Sequence, residues 1–223
     1  MQRRQFLHTL ALGLPALPLL QSGCRGRQTA HVLSQSDRDM VGSHAAGAET
    51  WEPLINEATC RLLGRQQTVI EQVSHQQPPG LPGRKRICFV GVENKSIEEV
   101  GDFREQIYEQ IDTIISQSGS FQVINRRFVE AGLRECRLRP DDLFLPTNRR
   151  MFAAALEQLD QPFEYLLFAK ITSGTTNNNK DYQRDYLMTL ELVDVQTGDT
   201  DKESAELRKG YHKTKLGKLR NYG

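Results

Sequence analysis

The pattern of apolar residues over 50–213 predicts a single layered α/β domain. We expect a small mixed or antiparallel sheet, flanked by about four helices and ending in a C-terminal β-meander. Two observations support this fold class. Helical and strand-like segments follow one another as α-β-α-β-α-α through most of the region. In its last third the apolar period changes to two, which is typical of consecutive antiparallel strands.

The first helix is expected to begin at Thr50, a suitable N-cap, and to end before the Pro- and Gly-rich segment 76–83. The apolar run 87–92, rich in β-branched residues, then predicts a buried strand. The helix has apolar residues at helical spacing, namely Trp51, Leu54, Ile55, Ala58, Leu62, Ile70 and Val73.

The middle of the domain is expected to contain three more helices and a short strand, 121–124. Ser96 and Glu99 have the spacing of a capping box for the second helix. Asn125 and Thr147 are the expected N-caps of the third and fourth helices. The residues expected to face the core are Phe128, Val129, Gly132 and Leu133 in the third helix, and Met151, Phe152, Ala155, Leu156 and Leu159 in the fourth.

The C-terminal third predicts three strands, over 163–174, 184–196 and 202–213. The segment Thr-Gly-Asp at 197–199 is expected to form the hairpin turn between the last two strands. The residues of the middle strand that are expected to share one face are Tyr186, Met188, Leu190 and Leu192.

Composition and motifs argue against several classes of function. A net charge of +1 on 223 residues does not favour nucleic-acid binding. The sequence has no HExxH, P-loop, GxSxG or GxGxxG signature, and its His and Cys residues lack metal-ligand spacing. We therefore expect no catalytic residue, cofactor or metal. Cys88, inside an apolar strand, is interpreted as a small buried side chain.

Residues 1–24 have the pattern of a bacterial signal peptide. A charged start precedes an apolar stretch of about 15 residues, shorter than the about 20 that a spanning helix needs. The segment RRQFL also resembles the core of twin-arginine export signals. This resemblance implies an export role for Arg3, Arg4, Phe6 and Leu7.

The leader ends in Ser-Gly-Cys, which resembles the end of a lipobox. The resemblance implies that Cys24 carries a lipid anchor. Arg25 is not the acidic residue that retains enterobacterial lipoproteins at the inner membrane, which favours the periplasmic face of the outer membrane. Gln21 stands where a lipobox usually has Leu. The alternative is an ordinary signal peptide and a soluble periplasmic protein, or an uncleaved anchor.

Two polar segments flank the domain. Residues 25–49 have no lasting period and few large apolar side chains, so we expect a flexible tether. Residues 202–223 carry a net charge of about +5, and 214–223 are expected to form a basic tail. Such a charge suits an acidic protein face, an anionic lipid or an anionic wall polymer, and a solvated chain end is the alternative. The candidate partner-binding residues are Arg208, Lys209, Tyr211 and Lys213.

Five stretches of the domain, taken in order, resemble LpoB, the lipoprotein activator of class A penicillin-binding proteins. More loosely, they are similar to TolB N-terminal and CsgG-like domains. The stretches are TWEPLINEAT (50–59), ICFVGVENKS (87–96), FQVINRRFVEAGL (121–133), LRPDDLF…KITSG (138–174) and LELVDVQTGD (190–199).

This resemblance implies a protein without an active site that stimulates a peptidoglycan synthase, a class A penicillin-binding protein, from the outer membrane. We expect the head domain to be monomeric. The segment 200–202 departs from the family, which usually continues there with apolar residues and a tryptophan. One alternative is a CsgG- or TolB-like subunit of an envelope secretion or assembly complex, and another is a hydrolase without a known signature.

Overall fold

The computed structural model describes residues 46–74, 84–178 and 181–211. The elements in chain order are α1 (Ala48–Ser74), β1 (Lys85–Lys95), α2 (Phe103–Gln117), β2 (Phe121–Val123), α3 (Arg126–Cys136), a 3-10 helix (Pro140–Phe144), α4 (Pro146–Gln158), β3 (Tyr165–Asn178), β4 (Asp181–Asp194) and β5 (Thr200–Tyr211). This is the order that the sequence predicts, with the 3-10 helix added.

The five strands form one mixed sheet in the order β2-β1-β3-β4-β5. The short β2 and the long β3 lie on either side of β1, and both run parallel to it. The last three strands form an antiparallel meander. The predicted fold class, a layered α/β domain with a C-terminal meander, is therefore confirmed.

Helices pack on both faces of the sheet. α1 and α2 cover one face, and their apolar residues join those of β1, β3 and β4 in the larger core, with Trp51, Ile111 and Tyr186 at most 2% exposed. α3, α4 and the 3-10 helix cover part of the other face. A smaller core there contains Val129 of α3 and Phe152 of α4, together with residues of β1 and β3. We call the first face the covered face. The helical face predicted for α1 is confirmed from Trp51 to Leu62, and the side chains of Ile70 and Val73 lie outside the described part of the structure.

One of the expected N-caps is confirmed and two are wrong. The Asn125 side chain accepts a hydrogen bond from the backbone N–H of Arg127 at 3.0 Å, as a cap should. α4 begins one residue before Thr147, at a proline, because the first turn needs no N–H hydrogen bond there. α1 begins two residues before Thr50, which lies buried in its first turn.

The expected capping box of Ser96 and Glu99 is also wrong. α2 begins later, at Phe103. The backbone N–H and hydroxyl of Ser96 instead donate to the side-chain oxygen of Asn94, at 2.9 and 2.7 Å. Asn94 therefore stabilises a turn after β1, because its short side chain competes for nearby N–H groups.

Two side chains expected in the core lie at the surface. Phe128 is 39% exposed and Met151 is 46% exposed, whereas their neighbours Val129 and Phe152 are buried. The apolar stripes of α3 and α4 are wider than the surface that these helices bury, so the residues at the edge of each stripe face outward.

The hairpin of β3 and β4 is longer than the sequence suggests. Its pairing continues through the polar stretch as far as Asn178 opposite Asp181. Backbone hydrogen bonds do not depend on apolar side chains, so a polar sequence can extend the ladder that an apolar sequence starts.

Candidate partner-binding surface

One surface of the meander is left uncovered by the described helices. Side chains alternate along a strand, so the residues of β4 between those in the core point away from α1. We call this surface the open face. It consists of Lys170 and Thr172 of β3, Leu187, Thr189 and Glu191 of β4, and Lys202, Ser204, Glu206 and Arg208 of β5.

Polar contacts between neighbouring strands cross the open face. The Lys202 ammonium lies 2.9 Å from the Glu191 carboxylate, and the hydroxyls of Thr189 and Ser204 lie 3.0 Å apart. Exposed ion pairs add little to stability, since water screens them. Their main effect here is to leave the Glu191 carboxylate neutralised by a neighbouring cation.

A crevice of about 340 Å³ lies beside the open face, between the sheet and the 3-10 helix. The ring of Phe144 stacks on that of Phe168 with centroids 4.5 Å apart, and Phe144 is still 48% exposed. This aromatic pair gives the crevice an apolar surface. The other lining residues are Gly91, Val92 and Glu93 of β1, Arg104 of α2, Arg139, Pro140 and Asp141 before and within the 3-10 helix, Ala169 and Lys170 of β3, and Thr189 and Glu191 of β4.

The chain topology explains why a crevice forms here. The connection from β1 passes through α2 on the covered face to β2, on one side of β1. The connection from β2 passes through α3 and α4 on the opposite face to β3, on the other side. The crevice lies over the face of the sheet where 91–93 of β1 run beside 168–170 of β3, and both α2 and the 3-10 helix contribute to its lining.

A β-bulge in β1 shapes the edge of the crevice. The pairing with β3 shifts between Phe89 and Gly91, so that Val90 is an extra residue. Gly91 has φ of 152°, in the region that favours glycine, and a β-carbon built there would meet no atom within 4 Å. Glycine thus allows the bulge and keeps the crevice open.

Among the described side chains that line the crevice, more cations than carboxylates lack an ion pair. The Glu93 carboxylate is paired with Lys95 at 2.6 Å. The hydrogen bond with Glu93 raises the pKa of Lys95, and the charge of Asp141 adds to this effect. In the described part of the chain, the three cationic side chains that line the crevice form no ion pair. They are Arg104, Arg139 and Lys170.

A second polar cluster lies on the covered side of the sheet, at the end nearest the β3–β4 turn. Glu98 accepts hydrogen bonds from Arg184 and from the Tyr186 hydroxyl, the latter at 2.8 Å. The Tyr186 and Tyr211 hydroxyls lie 3.0 Å apart, and the Tyr211 ring stacks on Tyr182 at 4.4 Å. Burial raises the pKa of Tyr186, and the hydrogen bonds with Tyr211 and Glu98 raise it further. We call these five residues the tyrosine cluster.

The candidate partner-binding residues on β5 do not share one surface. Arg208 lies on the open face and is largely exposed. Lys209 points to the covered side, where its ammonium lies 2.8 Å from the Glu49 carboxylate. Tyr211 is buried in the tyrosine cluster. Lys213 lies outside the described residues.

The ion pair with Lys209 affects the pKa of the Glu49 carboxyl at the start of α1. Burial raises the pKa of Glu49, but the hydrogen bonds from Lys209 and the backbone outweigh it, so the pKa is lowered overall. Lys209 therefore ties the end of β5 to the first turn of α1.

The other predicted site residues, Cys24, Arg3, Arg4, Phe6 and Leu7, also lie outside the described residues. Within the residues described, no helix is both long and apolar enough to cross a membrane. The same residues contain no group of three or more His, Cys, Asp or Glu side chains placed to hold a metal ion. The buried position expected for Cys88 is confirmed, and burial raises the pKa of its thiol.

The crevice was not predicted from the sequence, although two local signals point to it. Gly91 interrupts an apolar strand, which is a common sign of a bulge. Phe144 follows a Pro-Asp-Asp turn and so is an aromatic residue in a polar connection. Neither signal shows that the two segments meet, because that depends on the order of the strands.

Comparison with known proteins identifies the family. The sequence model of the peptidoglycan-synthase activator LpoB matches residues 66–200. No curated protein matches the chain significantly.

Solved structures give weaker similarities. The LpoB C-terminal domain from Salmonella enterica has 14% identity and a TM-score of 0.47, and the match covers 70% of this chain and 97% of that domain. The lipoprotein GNA1162 from Neisseria meningitidis has 19% identity and a TM-score of 0.40, with 61% and 90% covered. A PelC dodecamer from Paraburkholderia phytofirmans has 12% identity and a TM-score of 0.33, with 64% and 84% covered.

These structural matches carry no weight in the assignment. The family model matches more than half of the 223 residues, from the described part of α1 to the first residue of β5. The resemblance seen in the sequence is thereby confirmed. The chain belongs to the LpoB family of peptidoglycan-synthase activators.

Proposed function

We propose that this protein is a non-enzymatic, lipid-anchored activator of a class A penicillin-binding protein, facing the periplasm from the outer membrane. The observation that carries this proposal is the match to the LpoB activator family over residues 66–200. That segment contains the crevice and most of the open face. Activation by docking requires that the domain bind the active conformation of the synthase more tightly than the inactive one. A tenfold shift toward the active form needs about 1.4 kcal/mol of differential binding.

The decisive experiment adds the full mature protein to a purified class A penicillin-binding protein and follows glycan-chain polymerisation. We expect a saturable increase in rate and a 1:1 complex. The Arg208→Glu variant tests the candidate residues on β5, because Arg208 is the exposed one of these on the open face. A synthase whose rate and binding are both indifferent to the protein would refute the proposal.

The proposed anchor is a lipid on Cys24, at the start of a tether over 25–49. Each buried methylene of an acyl chain contributes about 0.8 kcal/mol, so two or three chains hold a protein firmly. Mass spectrometry of the mature N-terminus tests this point. We expect cleavage before Cys24 and a mass increase from acylation, and a free thiol at residue 24 would exclude the anchor. The Cys24→Ser variant should leave the outer-membrane fraction.

We also propose that the head domain is monomeric and that residues 214–223 form a basic tail. Size-exclusion chromatography with light scattering, on the unlipidated Cys24→Ser protein, measures the mass directly. A single species is expected, with the chain mass of 25.4 kDa less the mass of the leader, residues 1–23. A ring-sized oligomer would instead support the CsgG- or TolB-like alternative.

A further inference from the structure

We propose that the crevice between β1 and β3 receives an acidic segment of the partner synthase, whose apolar side chain packs on Phe144 and Phe168. This inference rests on the proposed function and adds the binding site and the chemistry of the bound segment. Three features of the described residues support it, namely the apolar floor, the excess of cations without an ion pair and the nearby amino end of α2.

Two further exposed apolar residues are close in sequence to residues that line the crevice. Leu145, next to Phe144, is 60% exposed, and Leu187 on the open face is 38% exposed. Exposed large apolar residues that cluster around a concavity mark a contact surface for another protein, with an aromatic anchor at its centre. The ring of Phe144 is held by its stacking on Phe168, so the floor is already formed before a partner arrives.

The unpaired charges of the crevice select an acidic partner. Two of its carboxylates, Glu93 and Glu191, are paired with Lys95 and Lys202. Among the described residues that line the crevice, the charged side chains without an ion pair are the carboxylate of Asp141 and the three cations Arg104, Arg139 and Lys170, so positive charge exceeds negative. Complementary charge around an apolar contact speeds association and fixes the register of the bound segment.

The position of Arg104 adds to the positive field. It lies in the first turn of α2, and the Asp102 side chain before it makes no capping hydrogen bond. The amino end of a helix carries a partial positive charge from its unpaired N–H groups. This partial charge adds to the charge of Arg104 at the crevice.

The first test measures binding of the full mature protein to the intact synthase by biolayer interferometry. The double variant Arg139→Glu/Lys170→Glu should weaken binding at least tenfold, and Phe144→Ser should weaken it about tenfold. The matched control is the double variant Arg84→Glu/Arg127→Glu, the same charge change at two exposed positions that do not line the crevice. We expect this control to bind within twofold of the wild type.

Thermal melts of each variant confirm that the fold is kept. The milder Arg139→Gln/Lys170→Gln variant should give an intermediate loss of binding affinity.

The second test identifies the bound segment directly. A photoreactive phenylalanine derivative in place of Phe144 should cross-link to the synthase, and the cross-linked peptide should be acidic and contain an apolar residue. The same derivative in place of Phe128, an exposed aromatic on α3, is the control and should not cross-link to that peptide.

The outcomes separate the two proposals. If the wild type binds the synthase and the crevice variants bind as tightly as it does, the inference is overturned while the proposed function stands. A cross-linked peptide without acidic residues also overturns it. If the wild type neither binds nor stimulates the synthase, the proposed function fails first and the inference fails with it.

Discussion

The two faces of β4 differ sharply although the same strand forms both. On the covered face, Met188 and Leu190 are fully buried under α1. Leu187, the residue before Met188, is 38% exposed on the open face. Burial of apolar surface contributes most of the folding free energy. The covered face therefore stabilises the domain, and the open face is free to vary and to bind. Neighbouring residues of β4 therefore have different roles, one in stability and the next in binding.

Substitution of one leucine on each face tests this difference most strongly. Leu190→Ala removes a fully buried side chain and should lower the free energy of unfolding by about 3 kcal/mol. Leu187→Ala on the other face should change it by less than about 1 kcal/mol. Urea unfolding followed by circular dichroism measures both values. Equal losses would show that the open face is packed in solution.

The two faces also contain contrasting ion pairs. Arg184→Met leaves the Glu98 carboxylate, only 9% exposed, without its cation, and should cost about 2–3 kcal/mol in unfolding free energy. Arg208→Met breaks the exposed pair with Glu206 and should cost less than about 0.5 kcal/mol. The pair of variants is compared by thermal unfolding. A large effect of Arg208→Met would mean that the open face has a structural role.

Two glycines in helices differ in the same way, since Gly132 is closely packed and Gly64 is not. A β-carbon at Gly132 would lie 3.0 Å from both Leu156 and Phe152, so Gly132→Ala should push α3 from α4 and cost about 2 kcal/mol. A β-carbon at Gly64 would meet no atom within 4 Å, so Gly64→Ala should stabilise α1 by about 0.5–1 kcal/mol. Denaturant midpoints measure both changes, and a stable Gly132→Ala protein would show that α3 and α4 pack less closely.

The smallest effect concerns pH. The lowered pKa of Glu49 means that its contribution is present above the ordinary value, near 4.5, and is lost as the pH falls through the lower native value. Lys209→Met removes the pair and should cost about 1 kcal/mol at pH 7. It should also flatten the loss of stability as the pH falls below the ordinary Glu value of 4.5. Parallel pH profiles for the variant and the wild type would argue against a role for this pair.

Local patterns in the sequence predict most of the fold. Every expected helix and strand is present, because apolar periodicity reports which side of an element faces a core. The residues of β4 from Tyr186 to Leu192 illustrate this, since their alternation is reproduced in the structure. Helix starts are less well predicted. Ser96 has the spacing of a capping box with Glu99, yet its hydrogen bonds belong to a turn with Asn94.

The candidate site was harder to predict, for a physical reason. Phe144 and Phe168 are distant in sequence and meet only because β3 crosses to the far side of β1 from β2. Strand order is a property of the whole chain, and no local period encodes it. The positive charge of 202–223 predicts a basic binding surface, but the alternation of side chains along β5 places Arg208 and Lys209 on opposite sides of the sheet.

Val90, the extra residue of the bulge, changes which side chains of β1 face the main core. Before it, odd-numbered residues such as Phe89 enter the main core, and after it even-numbered residues such as Val92 do so. In a strand without the extra residue, Glu93 and Lys95 would face the main core and Val92 would face away from it. One inserted residue thus switches the phase of the strand, so that an apolar start and a charged end can share a single β1.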